Sequence, residues 1–311
     1  MDKYNIPGDS GAPWRRKVVM RLLKEDYIDG ATDYCLLVPF AKEHNLSKGQ
    51  RVWLAFLYGL SYSCTTAIRV FLEFPNSSGI QPKKLRQFWR EQKDTLYFNP
   101  DRKYIKYNDQ LVESIKSFVQ SMGAYPYRKY YGICRDSGFD GMYKFIQQNW
   151  RFFGPHGAYL FFDAVYGLLP GDYVDPEHLD WKRCGKTVGQ GMAHMLYMDE
   201  LAEQPPASYG PDVIEKFNKI VDKMAELSGK PKVVIESTLC AFRKFFKGTR
   251  YDGYYADRML AECIAVQDFI PDVDLWALRR ASIPKKYLGE EDGRAGIDKS
   301  RLGLWTKEGT P

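Results

Sequence analysis

The chain has 311 residues, a net charge of +6, 44% apolar residues and 15% aromatic ones. That aromatic share, with acids and bases nearly balanced, excludes a disordered chain and predicts a folded globular protein with a large core. No window approaches the roughly eighteen consecutive apolar residues of a membrane span, and the opening MDKYNIPGDSGAPWRRK lacks an apolar signal stretch, which predicts a cytoplasmic protein with no membrane partner.

Residues 1–13 are rich in Gly, Pro, Asp and Ser and read as a flexible arm. Residues 14–24 form a first helix, with Val18, Val19, Leu22 and Leu23 on one stripe, and a short apolar segment follows at 34–43. Ser47 is placed to cap one long helix over 48–74, in which Trp53, Phe56, Leu57, Leu60, Cys64, Ala67, Ile68 and Phe71 recur at spacings of three and four. Residues 81–107 interleave Lys83, Lys84, Arg86 and Arg90 with Phe88, Trp89, Tyr97, Phe98, Tyr104 and Tyr107. Cations with ring faces suit a phosphate backbone and unstacked bases; a solvated helix face followed by an ordinary loop fits the same pattern.

An amphipathic helix over 108–122 leads into a Tyr-rich turn at 124–141 that carries Arg128 and Lys129. A helix at 142–153, a GPHG turn at 154–157 and a helix at 158–169 make a helical hairpin. An acid- and proline-rich loop fills 169–181, and further helices are expected at 187–201, 212–227, 232–247 and 255–269. No sustained period-two alternation occurs, so the fold class is mainly α. One helical domain spans 14–283, divisible into lobes 14–123 and 124–283, with a charged tail at 284–311.

Gly185-Lys186-Thr187 matches the end of a phosphate-binding loop, yet the glycine required five residues earlier is Asp180 and no apolar strand precedes it. Lys186 still enters a helix from a Gly-flanked loop, a suitable place to meet phosphate. Six cysteines without a CxxC pair read as reduced thiols, and four histidines without HxxxH spacing predict no metal site. On a helix Glu236, Cys240 and Lys244 share one face, and the loop after them delivers Arg250, Asp252, Asp257 and Arg258. This set suits either a catalytic cleft or a structural ion-pair network. Arg69, flanked by Ile68, Val70 and Phe71, should be half-buried and paired with Glu73 or with an anionic ligand.

The run WLAFLYGLSYSCTTAIRVFLEFP, the GPHGA hairpin and the segment ESTLCAFRKFFKGTRYDGYYADR resemble the phage thymine-hypermodification enzymes called α-glutamyl/putrescinyl thymine pyrophosphorylases, or amino acid:DNA transferases. The resemblance spans about residues 50–265 and implies a two-lobed helical fold like the helix-hairpin-helix DNA glycosylases, with a host-cytoplasmic setting if phage-encoded. In those glycosylases a catalytic aspartate follows the hairpin by some twenty residues, and Asp175 in DYVDPEH stands at the similar position, although Pro155 and His156 replace the usual small hairpin residues. The implied reaction is displacement of pyrophosphate from 5-(pyrophosphoryloxymethyl)uracil in DNA by the amine of an amino acid or polyamine.

Such chemistry needs an extruded base, cations facing the departing pyrophosphate, and a carboxylate that takes the amine's proton. The candidates are Asp175, with Glu236 and Asp257 behind it, as base; Arg69, Lys186, Lys244 and Arg250 for pyrophosphate; and Lys83, Lys84, Arg86, Trp89, Arg90, Arg128, Lys129, Gly154 and Gly157 for DNA. No cofactor follows from the residues themselves; magnesium is the one that pyrophosphate departure would call on. A non-catalytic DNA-binding module partnering a 5-hydroxymethyluracil DNA kinase, and a DNA glycosylase, are the alternative functions.

Overall fold

The computed structural model describes residues 14–24, 35–182, 186–250, 254–283, 288 and 294–296. The predicted arm at 1–13 and most of the tail at 284–311 lie outside them. Among the described residues the regular elements are all helical. In chain order the α-helices are α1 (Trp14–Lys24), α2 (Leu37–Glu43), α3 (Lys48–Ser61), α4 (Cys64–Glu73), α5 (Pro82–Gln92), α6 (Gln110–Met122), α7 (Pro126–Asn149), α8 (Pro155–Leu168), α9 (Lys186–Met195), α10 (Asp199–Ala202), α11 (Pro211–Ser228), α12 (Lys232–Phe246), α13 (Tyr254–Val266) and α14 (Leu275–Ser282). None is long and apolar enough to cross a membrane.

Ser47 caps α3 as its sequence position predicts: its hydroxyl accepts from the Gln50 amide while the Gln50 side chain accepts from the Ser47 amide. Every residue from Val52 to Ser61 is buried, so α3 runs through the centre of the molecule. The expected single helix over 48–74 is broken. Tyr62 adopts the left-handed conformation with φ 52°, and Ser63 then caps α4 by accepting from the Thr66 amide. The Ser61 hydroxyl donates to the Leu57 carbonyl, a side-chain bond that competes with continued helix.

The Tyr-rich segment expected as a turn is instead the first half of α7, which begins at Pro126 and breaks at Gly138 with φ 61°. The Lys129 ammonium lies 5.6 Å from the Phe145 ring centroid, so the two halves fold back on each other. The chain then turns through residues 150–154 into α8, whose first residue is Pro155 rather than Ala158. α14, capped by Asp274, has no counterpart among the predicted elements.

α3 and α8 cross at two glycines. A Cβ on Gly59 would lie 2.9 Å from the Gly157 carbonyl oxygen, and one on Gly157 would lie 1.8 Å from Nη2 of Arg102. Arg102, 2% exposed, threads into this crossing and donates from Nη2 to the Gly59 carbonyl at 2.8 Å. Its Nη1 reaches the Phe152 carbonyl at 3.4 Å and the Tyr104 hydroxyl. A second close crossing sets α9 on α12, where a Cβ on Gly191 would lie 2.1 Å from the Leu239 carbonyl oxygen. The apolar core is continuous across the boundary drawn at 123/124, because α3 packs on both α7 and α8.

Gly157→Ala is expected to cost about 2–3 kcal/mol in urea unfolding, because its methyl meets a guanidinium that has no free space. Gly154→Ala, whose Cβ meets nothing within 4 Å, should stay within about 1 kcal/mol of the parent.

Candidate functional site

α12 presents Glu236, Cys240 and Lys244 at i, i+4 and i+8, and the loop after it brings Arg250 to the same side. Arg250 bears electrostatically on both Cys240 of α12 and His156 of α8. Arg258 of α13 also bears on His156, and its guanidinium lies 4.5 Å from the Tyr62 ring centroid. Tyr62 in turn meets His156 edge-on at 5.3 Å. These side chains, from α12, the start of α8 and α13, make up the candidate cleft.

One wall is acidic. Ser237 donates to Oδ2 of Asp163 at 2.8 Å, and its oxygen lies 3.3 Å from Oε2 of Glu236. One hydroxyl proton cannot serve two carboxylates, so a protonated Glu236 completes the set. Burial supplies the reason for that proton: Glu236 is 7% exposed and its carboxyl is pushed up to about 8, against the lowering effect of the Ser237 hydroxyl. Cys240 lies next to it, with Sγ 3.1 Å from Oγ1 of Thr187, and burial followed by the Glu236 charge raises its thiol.

The other wall is cationic. Arg250 bonds to the Tyr255 hydroxyl, and its guanidinium lies 4.8 and 4.9 Å from the Tyr254 and Tyr255 ring centroids. Arg258 stands 3.7 Å from Glu262, whose Oε2 accepts from the Ser63 hydroxyl at 2.8 Å. His156 is exposed by surface area but crowded by its neighbours. That crowding, with Arg102, Arg250 and Arg258 adding and Asp101 opposing, pushes its imidazole down from the ordinary value. The candidate cleft therefore brings a high-pKa carboxyl, an imidazole of lowered pKa and arginines into one neighbourhood, which suits proton transfer beside an anionic group.

Several predicted site residues lie elsewhere. Asp175 is exposed and caps α12: its carboxylate accepts from the Lys232 amide at 2.8 and 2.9 Å and from the Tyr173 hydroxyl at 2.8 Å. Its lone pairs are committed to that helix end, so the role of first candidate base passes from Asp175 to Glu236. Asp257 bears on Arg279 of α14, which is 0% exposed. Arg69 stands 3.7 Å from Glu73, 3.5 Å from Gln92 and 5.3 Å from the Phe88 ring centroid, contacts that tie α4 to α5 and give it a structural place. Lys186 is exposed, and its charge is felt at Glu203.

Among the DNA candidates, Lys83, Lys84, Arg86 and Arg90 are exposed on α5, as are Arg128 and Lys129 on α7. Arg128 lines a separate cavity of about 310 Å³ between the starts of α3 and α7. Trp89 is corrected: at 2% exposure it packs edge-on with Phe98 in the core and meets no base. Gly157 is corrected likewise, since it is buried against Arg102. Gly154 remains open, at the N-cap of α8. Among the described residues no group of three His, Cys, Asp or Glu comes together to hold a metal, so no step is assigned to magnesium.

Sequence reasoning met His156 only as a departure from the hairpin pattern, and gave neither Tyr62 nor Asp163 a place in the site. The signal for Asp163 was present, a lone carboxylate inside the apolar run AYLFFDAVYGLL. Tyr62 carried none, because its place depends on the helix break.

A carboxyl raised by burial stabilises the fold while protonated, and that contribution is lost as pH rises from the ordinary 4.5 through about 8. Glu236→Gln is therefore expected to leave Tm unchanged near about pH 4 and to raise it by several degrees near about pH 9, read by thermal denaturation across pH. No protein-family model, characterised protein or solved structure matches this chain, so the cleft's chemistry is argued from its own geometry.

Proposed function

We propose that the protein is a DNA base-hypermodifying transferase, in which the amine of an amino acid or polyamine displaces pyrophosphate from 5-(pyrophosphoryloxymethyl)uracil. The observation that carries this reading is a buried carboxyl raised to about 8, Glu236, one helical turn before Cys240, on which both Arg250 and Lys244 bear. The family resemblance supplies the substrate.

In this reading the amine arrives as an ammonium. Glu236, once ionised, takes a proton and leaves a neutral nitrogen, which attacks the methylene carbon on C5 of the base. The C–O bond to pyrophosphate breaks and the electron pair leaves with the phosphate. Arg250 and Lys244 face the charge that builds there. Asp163 and Ser237 hold the Glu236 carboxyl in place and accept its proton relay. His156, its pKa lowered, offers a hydrogen bond to the base rather than a competing cation. In this reading a helix-hairpin-helix grip falls at the turn between α7 and α8, where the open Gly154 precedes Pro155 and a phosphate would meet the amides that follow the proline.

The test is mass spectrometry of nucleosides after the protein meets pyrophosphorylated 5-hydroxymethyluracil DNA with a pool of amino acids and putrescine. An aminated thymidine should form, with a rate that climbs with pH through about 8. Glu236→Gln is expected to lower that rate by roughly 10²–10⁴-fold and flatten its pH profile. Arg250→Ala should cost roughly 10²-fold or more with DNA affinity little changed. DNA that is bound in a salt-dependent manner yet never altered would replace this reading with the non-catalytic module.

A further inference from the structure

The turn between α7 and α8 carries a phenylalanine in an unusual setting. Phe152 has φ 59°, in the left-handed region that a bulky side chain rarely adopts, and 41% of its surface is exposed. Its carbonyl is gripped from beneath by Arg102 and Tyr104, so the backbone is held in that conformation by the buried crossing. The ring itself has no ring or cation partner among the described residues. A strained, exposed, apolar side chain on a rigid platform is a cost to folding that calls for a use.

Its surroundings say what the use is. Tyr104 and Tyr107 stand exposed at 41% and 63%. Glu113 feels Lys116 first and then Arg151 and Arg86, so cations of α5, α6 and the turn share this face and outnumber the acid among them. Phe152 also borders a shallow depression of about 420 Å³ with Gln147, Gln148 and Arg151. His156 follows four residues on, and the same Arg102 guanidinium that grips the Phe152 carbonyl bears on it, which ties the turn to the candidate cleft. We propose that Phe152 is a wedge that enters a DNA duplex and fills the space left when the target base moves into the cleft, with Arg151 and Arg86 on the flanking phosphates. The inference rests on the DNA reading above. An apolar ring between base steps offsets part of the lost stacking, and the cationic rim gives the phosphates their partners.

The full-length protein is mixed with a duplex carrying 2-aminopurine beside a 5-hydroxymethyluracil, and binding and fluorescence are read together. The parent protein should raise 2-aminopurine fluorescence several-fold as the base unstacks. Phe152→Gly, which relieves the left-handed backbone, should keep the parent's Tm or exceed it and keep the salt dependence of binding, yet lose most of the fluorescence rise. Phe152→Asn, whose short side chain tolerates the same backbone, should behave alike. Arg151→Ala should weaken binding several-fold at low salt and keep the rise in the bound fraction. A full rise with Phe152→Gly, or tight binding by the parent with no rise, would overturn the wedge and leave the transferase reading standing. A parent protein with no affinity for any DNA, or with affinity only for RNA, would overturn both.

Discussion

The molecule depends on the burial of one guanidinium. Arg102 enters the place where α3 and α8 would otherwise touch, and it satisfies carbonyls of Gly59 and Phe152 from opposite sides. Removing a charged group from water is expensive unless its donors find acceptors, so this arrangement fixes the distance between the helices and the shape of the turn at once. Two glycines are required because the guanidinium and the facing backbone occupy the space a methyl would take. From this pin follow the left-handed Phe152, the start of α8, and the position of His156. The Arg102 charge is also among the causes that lower that imidazole's pKa.

The cleft is assembled from elements distant in sequence, which explains what could be read in advance. Helical spacing alone put Glu236, Cys240 and Lys244 on one face, and the sequence order brought Arg250 after them; those relations are local and survive in the fold. The amphipathic face of α5 was equally legible, since Leu85 and Phe88 point inward while Lys83, Lys84, Arg86 and Arg90 point out. Trp89 was misread because a helix with cations on three sides of a ring does not reveal which side meets the core. The break at Tyr62 was hidden for a different reason: the apolar spacing continues through it, and only the serines on either side, which offer the backbone side-chain partners, end the helix.

Asp175 shows the same limit from another direction. Its distance from the hairpin fitted an acid at a catalytic centre, and its chemistry fitted too. The fold spends that chemistry on the two backbone amides that open α12, those of Lys232 and Val233, because the N-cap residue Pro231 has no side chain that can accept from them. A carboxylate at a helix start and a carboxylate in a cleft have the same sequence signature, an acid in a turn-rich loop. Burial separates them, and burial is a property of the whole chain.

That cap has an effect on the cleft itself. Glu236 sits in the second turn of α12, within reach of the partial positive charge that a helix carries at its start, and an uncompensated start would favour the ionised acid. Asp175 places a carboxylate on those amides instead. The loop at 169–181 thus fixes the start of the helix that carries Glu236, and the raised carboxyl there follows from its burial.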